Sequence, residues 1–171
     1  YLIGQDPTRV VHHWQAMYRH AFYRGGPLLT SALSGVEQAL WDLAGKAVGL
    51  PVYRLLGGPT RDRIRMYRGV GGATPEIAAQ NARDCVAQGY TAMKTGIAGG
   101  RAARIVENPA FIDRAVETFA AMREAVGNDI DIAIDFHGAI SPQTAGLLIK
   151  ALEPYQPLFY EEPGQCQNGD V

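Results

Sequence analysis

The chain has 171 residues, enough for one ordinary domain or for one and a fraction. Its 16 Lys+Arg against 17 Asp+Glu leave a formal net charge of -1, so no net positive field exists to hold nucleic acid or an anionic membrane surface. With 47% hydrophobic and 19% charged residues the composition is globular and excludes a disordered chain, and no apolar run approaches the roughly 18 residues a membrane span requires. The start, Tyr1 to Gln5, has neither a basic stretch nor a Met, so it reads neither as a signal peptide nor as a natural initiation site. Cys85 and Cys166 lie far apart and outside any CxxC spacing, as reduced thiols of a cytoplasmic protein would. There are 13 Arg but only three Lys, which makes each Lys worth inspecting.

The first sixty residues read as helices. Asp6-Pro7-Thr8 resembles a helix start, and Val10, Val11, Trp14, Met17, Tyr18 and Phe22 follow at helical spacing. Gly25-Gly26-Pro27 breaks that pattern. A second helix is expected from Thr30, with Leu33, Val36, Leu40, Leu43, Ala44 and Ala47 on one stripe and Gly49 then Pro51 closing it. Its small residues Ala32, Gly35, Ala39 and Ala44 suggest close packing against a neighbour. Val52 to Leu56 reads as a short helical turn, and a domain boundary is expected at Gly57 to Arg63.

Beyond that boundary the pattern repeats. Thr74-Pro75, Asn108-Pro109 and Ser141-Pro142 each join a good N-cap to a Pro at the first helical position, and the pairs lie 34 and 33 residues apart. That period suits a strand-plus-helix unit. Short apolar or β-branched runs, Ile64–Val70, Tyr90–Lys94 and Ile130–Phe136, precede the three helices, and Leu158–Glu161 follows the last. Gly89 and Gly127 sit where helix ends are due. The order βαβαβαβ implies right-handed crossovers and a parallel sheet. An open sheet and half of a (β/α)8 barrel both fit it.

In either architecture the chemistry gathers at the C-terminal ends of the strands. Strand two is expected to end at Lys94, strand three at Ile134-Asp135-Phe136-His137, and strand four at Glu161-Glu162-Pro163. Strand alternation puts Asp135 and His137 on one face, with Phe136 opposed. Asp135 and Glu161 are 26 residues apart, close to one repeat, so adjacent strand ends can bring both carboxylates to one spot. Hard oxygen ligands converging in that way suit Mg²⁺. Each residue alone has an ordinary reading: a capping Asp, a structural His, a solvated Glu-Glu turn, a surface Lys. Their coincidence at three neighbouring strand ends is what those ordinary readings leave unexplained. His12-His13, by contrast, lies on a helix face and reads as structural. The glycines of 69–72 and 96–100 fit neither GxGxxG nor a P-loop and read as flexible loops.

Asp135-Phe136-His137-Gly138, the run Leu147 to Tyr155, and Pro157 to Pro163 resemble the enolase superfamily. Within it they are most similar to the mandelate racemase-type acid-sugar dehydratases that act on D-galactonate. Ser31 to Lys46 and Leu55-Leu56-Gly57-Gly58 resemble the helical part of that group's N-terminal capping domain. The resemblance implies an α/β fold, the first half of a modified (β/α) TIM barrel preceded by the helical part of an α+β capping domain. Residues 1–58 would be the capping part and 64–171 the first four barrel strands, both incomplete. The third metal carboxylate and a His-Asp general base would then lie beyond Val171, making the chain an internal part of a longer enzyme. The tail from Gly164 to Val171 departs from the pattern.

By the same resemblance, Asp135 and Glu161 would hold Mg²⁺, His137 would protonate the departing 3-hydroxyl, and Lys94 would add positive charge near the enediolate formed by α-proton abstraction. The implied reaction converts D-galactonate to 2-keto-3-deoxygalactonate. Racemases of the superfamily commonly carry Lys-x-Lys at the end of strand two, where this chain has Lys94-Thr95-Gly96, which favours dehydration. The implied partner is a sugar acid alone, without nucleic acid or membrane, in a homo-oligomer when full length. Another dehydratase or epimerase of the group (mannonate, gluconate or aldarate) and an inactive truncated fragment are the alternatives.

Overall fold

A computed structural model describes residues 1–20, 22–97 and 106–168. The chain divides into two compact units, Tyr1–Ile64 and Arg65–Val171. The loop expected at 96–100 lies partly outside the described residues, as do the last three residues of the tail.

The first unit holds α1 (Val10–His20), α2 (Gly26–Val48) and the short α3 (Val52–Leu55). Helix α2 begins four residues before the expected Thr30. Gly26-Pro27 opens the helix instead of breaking the chain, because Pro27 in the first turn gives up only an N–H that has no helical partner. Gly49 ends it in the left-handed conformation, as its place before Pro51 predicts. On α2 the buried stripe is narrower than expected: Leu33, Leu40 and Gly45 are covered, whereas Val36 and Leu43 are exposed. Of the first pattern Val10 is buried, Val11 is exposed, and Phe22 lies exposed beyond the end of α1. Gly45 is where the chain approaches closely, since a Cβ there would meet the Leu50 carbonyl oxygen at 2.5 Å. Ala32, Gly35 and Ala39 are exposed.

His13 is the other surprise. It is buried on α1, with Nε2 2.7 Å from the Asp6 carbonyl oxygen and Nδ1 3.1 Å from the Tyr1 hydroxyl. The carbonyl can only accept, so Nε2 carries a proton and Nδ1 is left for the hydroxyl. Both ring nitrogens are thus engaged within the unit, in keeping with the structural reading of the His12-His13 pair.

The second unit is a four-stranded parallel sheet, β1 (Arg68–Gly69), β2 (Ala92–Gly96), β3 (Asp131–Asp135) and β4 (Tyr160–Glu161), in the order β1-β2-β3-β4. Its crossovers are α4 (Pro75–Ala87), α5 (Pro109–Val126) and α6 (Pro142–Leu152). The three Pro-bearing starts form as read. The side chains of Thr74, Asn108 and Ser141 accept hydrogen bonds from the backbone N–H groups of Ile77, Phe111 and Thr144. Met93, Ile132, Ile134 and Phe136 face the helices and form one core with Ala78, Ala82 and Cys85 of α4, Phe119 and Met122 of α5, and Leu148 and Leu152 of α6.

Strand alternation sends the charged residues to the opposite face. Near its N-terminal end Arg65 pairs with Asp131 at 2.5 Å and donates to the Thr91 carbonyl at 2.7 Å. Arg123 closes the same end on the helix side. Its guanidinium is buried and donates to the carbonyl oxygens of Tyr155, Gly127, Ile130 and Gln156. The N-terminal ends of the strands are therefore fixed by polar contacts that use no reactive group.

One close approach makes a test of the packing. A Cβ on Gly72 would stand 2.3 Å from the Ala78 backbone nitrogen, whereas one on Gly71 would meet only the Thr95 hydroxyl, at 3.8 Å. Gly72→Ala should cost about 1–3 kcal/mol by forcing α4 away from the loop. Gly71→Ala should stay within about 0.5 kcal/mol of the parent. Denaturant melts of the two variants compare them, and equal losses would contradict the packing described.

Candidate active site

The polar cluster stands at the C-terminal ends of β2, β3 and β4. Register explains it. Parallel pairing sets Lys94 opposite Ala133, Gly96 opposite Asp135, and Asp135 opposite Glu161. Lys94, Asp135 and Glu161 therefore share the face turned away from the helices. Lys94 is not the last residue of its strand, as expected, because β2 stays hydrogen-bonded to β3 as far as Gly96. Its side chain reaches forward to the strand ends. Nζ lies 2.8 Å from Asp135 Oδ2 and 2.8 Å from Glu161 Oε2. Above it, the Tyr67 ring lies with its centroid 5.5 Å from Nζ and is itself held edge-on by Phe159. Tyr67 is a site neighbour that sequence reasoning missed.

His137 joins the cluster by a route that alternation does not describe. Strand β3 ends at Asp135, and His137 lies beyond it with φ 53°. That left-handed turn is uncommon for a residue with a Cβ. It is held because Phe136 donates its N–H to the Glu161 carbonyl, and Gly138 its N–H to the Glu162 carbonyl, each at 2.9 Å. The His137 N–H donates to Asp135 Oδ1 at 2.8 Å, and its Nε2 stands 3.3 Å from Asp135 Oδ2. The imidazole is 71% exposed, in reach of a molecule arriving from solvent, while the Asp135 carboxylate is 4% exposed.

A second contact ties the neighbouring loops. Both oxygens of Glu107 accept the Ser141 N–H, at 3.0 and 3.1 Å, and Oε2 accepts the Ser141 hydroxyl at 2.5 Å. The segment before α5 is thus anchored to the start of α6, four residues after His137. Nothing in the local sequence marks this pair, because its partners are 34 residues apart.

Electrostatics follow the geometry. Burial works to raise the Asp135 pKa, but the Lys94 ammonium, the His137 N–H and the His137 ring outweigh it and hold the carboxyl below its ordinary value of 3.8. Hydrogen bonds to Asp135 and then Glu161 push Lys94 above its ordinary 10.5. The sign of the linkage is then fixed. A depressed carboxyl stabilises the folded state above its ordinary pKa and loses that contribution as pH falls through the folded value; the raised lysine contributes below 10.5 and loses its share as pH rises through its own folded value. In the metal-free protein, the thermal stability lost in Asp135→Asn should be large at pH 7 and shrink below about pH 4. A gap that stays constant from pH 7 to pH 3 would contradict the depressed carboxyl.

The donor set also bears on a metal. Two carboxylates from neighbouring strands converge on a single cationic atom at equal distance, so a divalent ion would find two anionic oxygen donors there. The oxygen donors fit Mg²⁺ in kind. Among the described residues no group of three His, Cys, Asp or Glu side chains is placed to hold a metal ion, so the pair supplies only part of a coordination shell.

Comparisons with known proteins identify the family. Residues 1–57 match the mandelate racemase / muconate lactonizing enzyme N-terminal domain, and residues 77–170 match the enolase C-terminal domain-like family. The second match continues past Pro163, through the tail that the sequence alone set apart. D-galactonate dehydratase of Klebsiella pneumoniae (strain 342) is 49% identical over 95% of the chain, and that of Ralstonia pickettii (strain 12J) is 48% identical over 100% of it. The chain spans 42% and 44% of those two proteins. A crystal structure of an enolase from Pantoea ananatis with bound D-gluconate and Mg aligns with a TM-score of 0.80 and 30% identity, covering 98% of this chain and 48% of that one. The helices of the first unit and the parallel sheet of the second are thus part of a capping domain and part of a TIM barrel. The chain belongs to the enolase superfamily, in its mandelate racemase / muconate lactonizing enzyme branch.

Proposed function

We propose that this chain is part of a Mg²⁺-dependent acid-sugar dehydratase acting on D-galactonate, with residues 1–58 in its capping domain and 64–171 forming the first four barrel strands. The observation that carries this reading is the meeting of Asp135, Glu161 and Lys94 within 2.8 Å contacts, with His137 3.3 Å from the same Asp135 oxygen. The D-galactonate dehydratases at 49% and 48% identity support the substrate.

Asp135 and Glu161 would be two of the metal's ligands. A divalent ion held there supplies Lewis-acid stabilisation of the charge that develops on a substrate carboxylate as its α-proton leaves. Lys94 adds positive charge beside that carboxylate in a partly enclosed site, where charge is worth more than in water. His137, exposed at the rim, gives a proton to the departing hydroxyl, the role for which imidazole is the suited side chain near neutral pH. Gly96 supports elimination over racemisation. It shares the face of Lys94 and pairs with Asp135, so the place where a second lysine would offer an amine base carries no side chain. The third carboxylate and the general base would come from sequence beyond these 171 residues.

The experiment is a substrate panel. Full-length protein with Mg²⁺ is incubated in D₂O with D-galactonate, D-gluconate, D-mannonate and galactarate, and the products are read by NMR. D-galactonate should give the 2-keto-3-deoxy acid fastest. Faster dehydration of another acid would move the substrate within the family. Absence of elimination from all four would overturn the dehydratase reading.

A further inference from the structure

The arrangement at Lys94 carries a consequence for metal binding, resting on the reading of Asp135 and Glu161 as divalent-cation ligands. The two oxygens aimed at the shared point, Asp135 Oδ2 and Glu161 Oε2, are both taken by the ammonium at 2.8 Å. Asp135 cannot turn away, because its other oxygen accepts the His137 N–H at 2.8 Å and the side chain is buried. An ion about 2.1 Å from those oxygens would stand within about 5 Å of the ammonium, at strong like-charge repulsion in a site only partly open to water. The two cations therefore compete for the same two oxygens. Lysine is the one that can give way, since its stem is long and flexible and its side chain is 21% exposed.

We propose that Lys94 is a displaceable counter-cation: in the metal-free protein its ammonium bridges Asp135 and Glu161 and keeps the like charges together, and the arriving divalent ion drives it off both oxygens. Metal and ammonium then compete for one place. The bridge holds the two carboxylates together at the expense of metal affinity.

The test is titration calorimetry with Mg²⁺ alone on metal-stripped full-length protein, for the parent, Lys94→Met and Lys94→Arg, with a thermal melt of each. Removing the competitor should tighten Mg²⁺ binding about tenfold, within the usual range of coupling between two ligands. The melting temperature that Lys94→Met loses without metal should be recovered at saturating Mg²⁺. Lys94→Arg keeps a cation on the carboxylates and should bind Mg²⁺ no more tightly than the parent. Affinity of Lys94→Met within twofold of the parent, or weaker, would overturn the displacement. So would Lys94→Arg binding as tightly as Lys94→Met. If Lys94→Met does not fold without metal, Lys94→Gln replaces it with the same expectations. A parent that binds no Mg²⁺, or whose affinity is unchanged in Asp135→Asn, would sink the ligand reading itself; an unchanged Lys94→Met in a parent that binds through Asp135 sinks only the displacement.

Discussion

Asp135→Asn in the full-length protein should lower turnover of D-galactonate by about 10³-fold or more, and Glu161→Gln should do the same. Each exchange removes one anionic oxygen ligand from a site whose described part holds only two. A metal's stabilisation of developing charge is worth several kcal/mol, and each 1.36 kcal/mol is tenfold in rate. The fold should survive. Asn keeps an oxygen for the His137 N–H, and Glu161 is half-buried at the sheet edge. Lys94 keeps one carboxylate partner in either variant. Circular dichroism separates the two effects, and Mg²⁺ titrations of activity should shift to higher concentration in both. An unchanged Mg²⁺ dependence in both variants would remove the ligand assignment.

His137→Asn should separate the two halves of the reaction. If His137 supplies the proton to the leaving hydroxyl, its loss should nearly abolish elimination, by about 10²–10⁴-fold, the usual weight of a positioned acid. Abstraction of the α-proton uses other residues and should continue. The signature is deuterium entering C2 of the substrate in D₂O without formation of the 2-keto-3-deoxy acid. Asn suits the test because it tolerates the left-handed backbone at this position better than most residues. The His137 N–H to Asp135 is a backbone group and stays. Full dehydration activity in the variant would return His137 to a structural role.

What the sequence made legible was local or periodic. The starts of α4, α5 and α6 were readable because an N-cap and the Pro after it act within one turn, and the Asp135–Glu161 pairing because a regular repeat brings equivalent strand ends into register. Strand lengths were less legible, since pairing and not composition decides them. Strand β1 shortens to Arg68–Gly69 from the expected Ile64–Val70, where the Arg65 side chain bonds to Thr91 and Asp131 ahead of the paired residues. Lys94 lies inside its strand for the same reason: β3 pairs with β2 beyond it. Contacts between distant residues left no local mark, as with Tyr67 over Lys94, Glu107 on Ser141, and His13 buried against Tyr1 and Asp6. His137 reached the right place by a turn that strand alternation does not contain.

The measurement that bears most directly on the site is anomalous scattering from crystals of the full-length protein soaked in Mn²⁺, which takes the same oxygen ligands as Mg²⁺. The account predicts one strong peak between the carboxylates of Asp135 and Glu161, within about 2.0–2.3 Å of an oxygen from each, with the Lys94 ammonium no longer on either. A metal peak elsewhere, or none with the Lys94 bridge intact at saturating Mn²⁺, would contradict it.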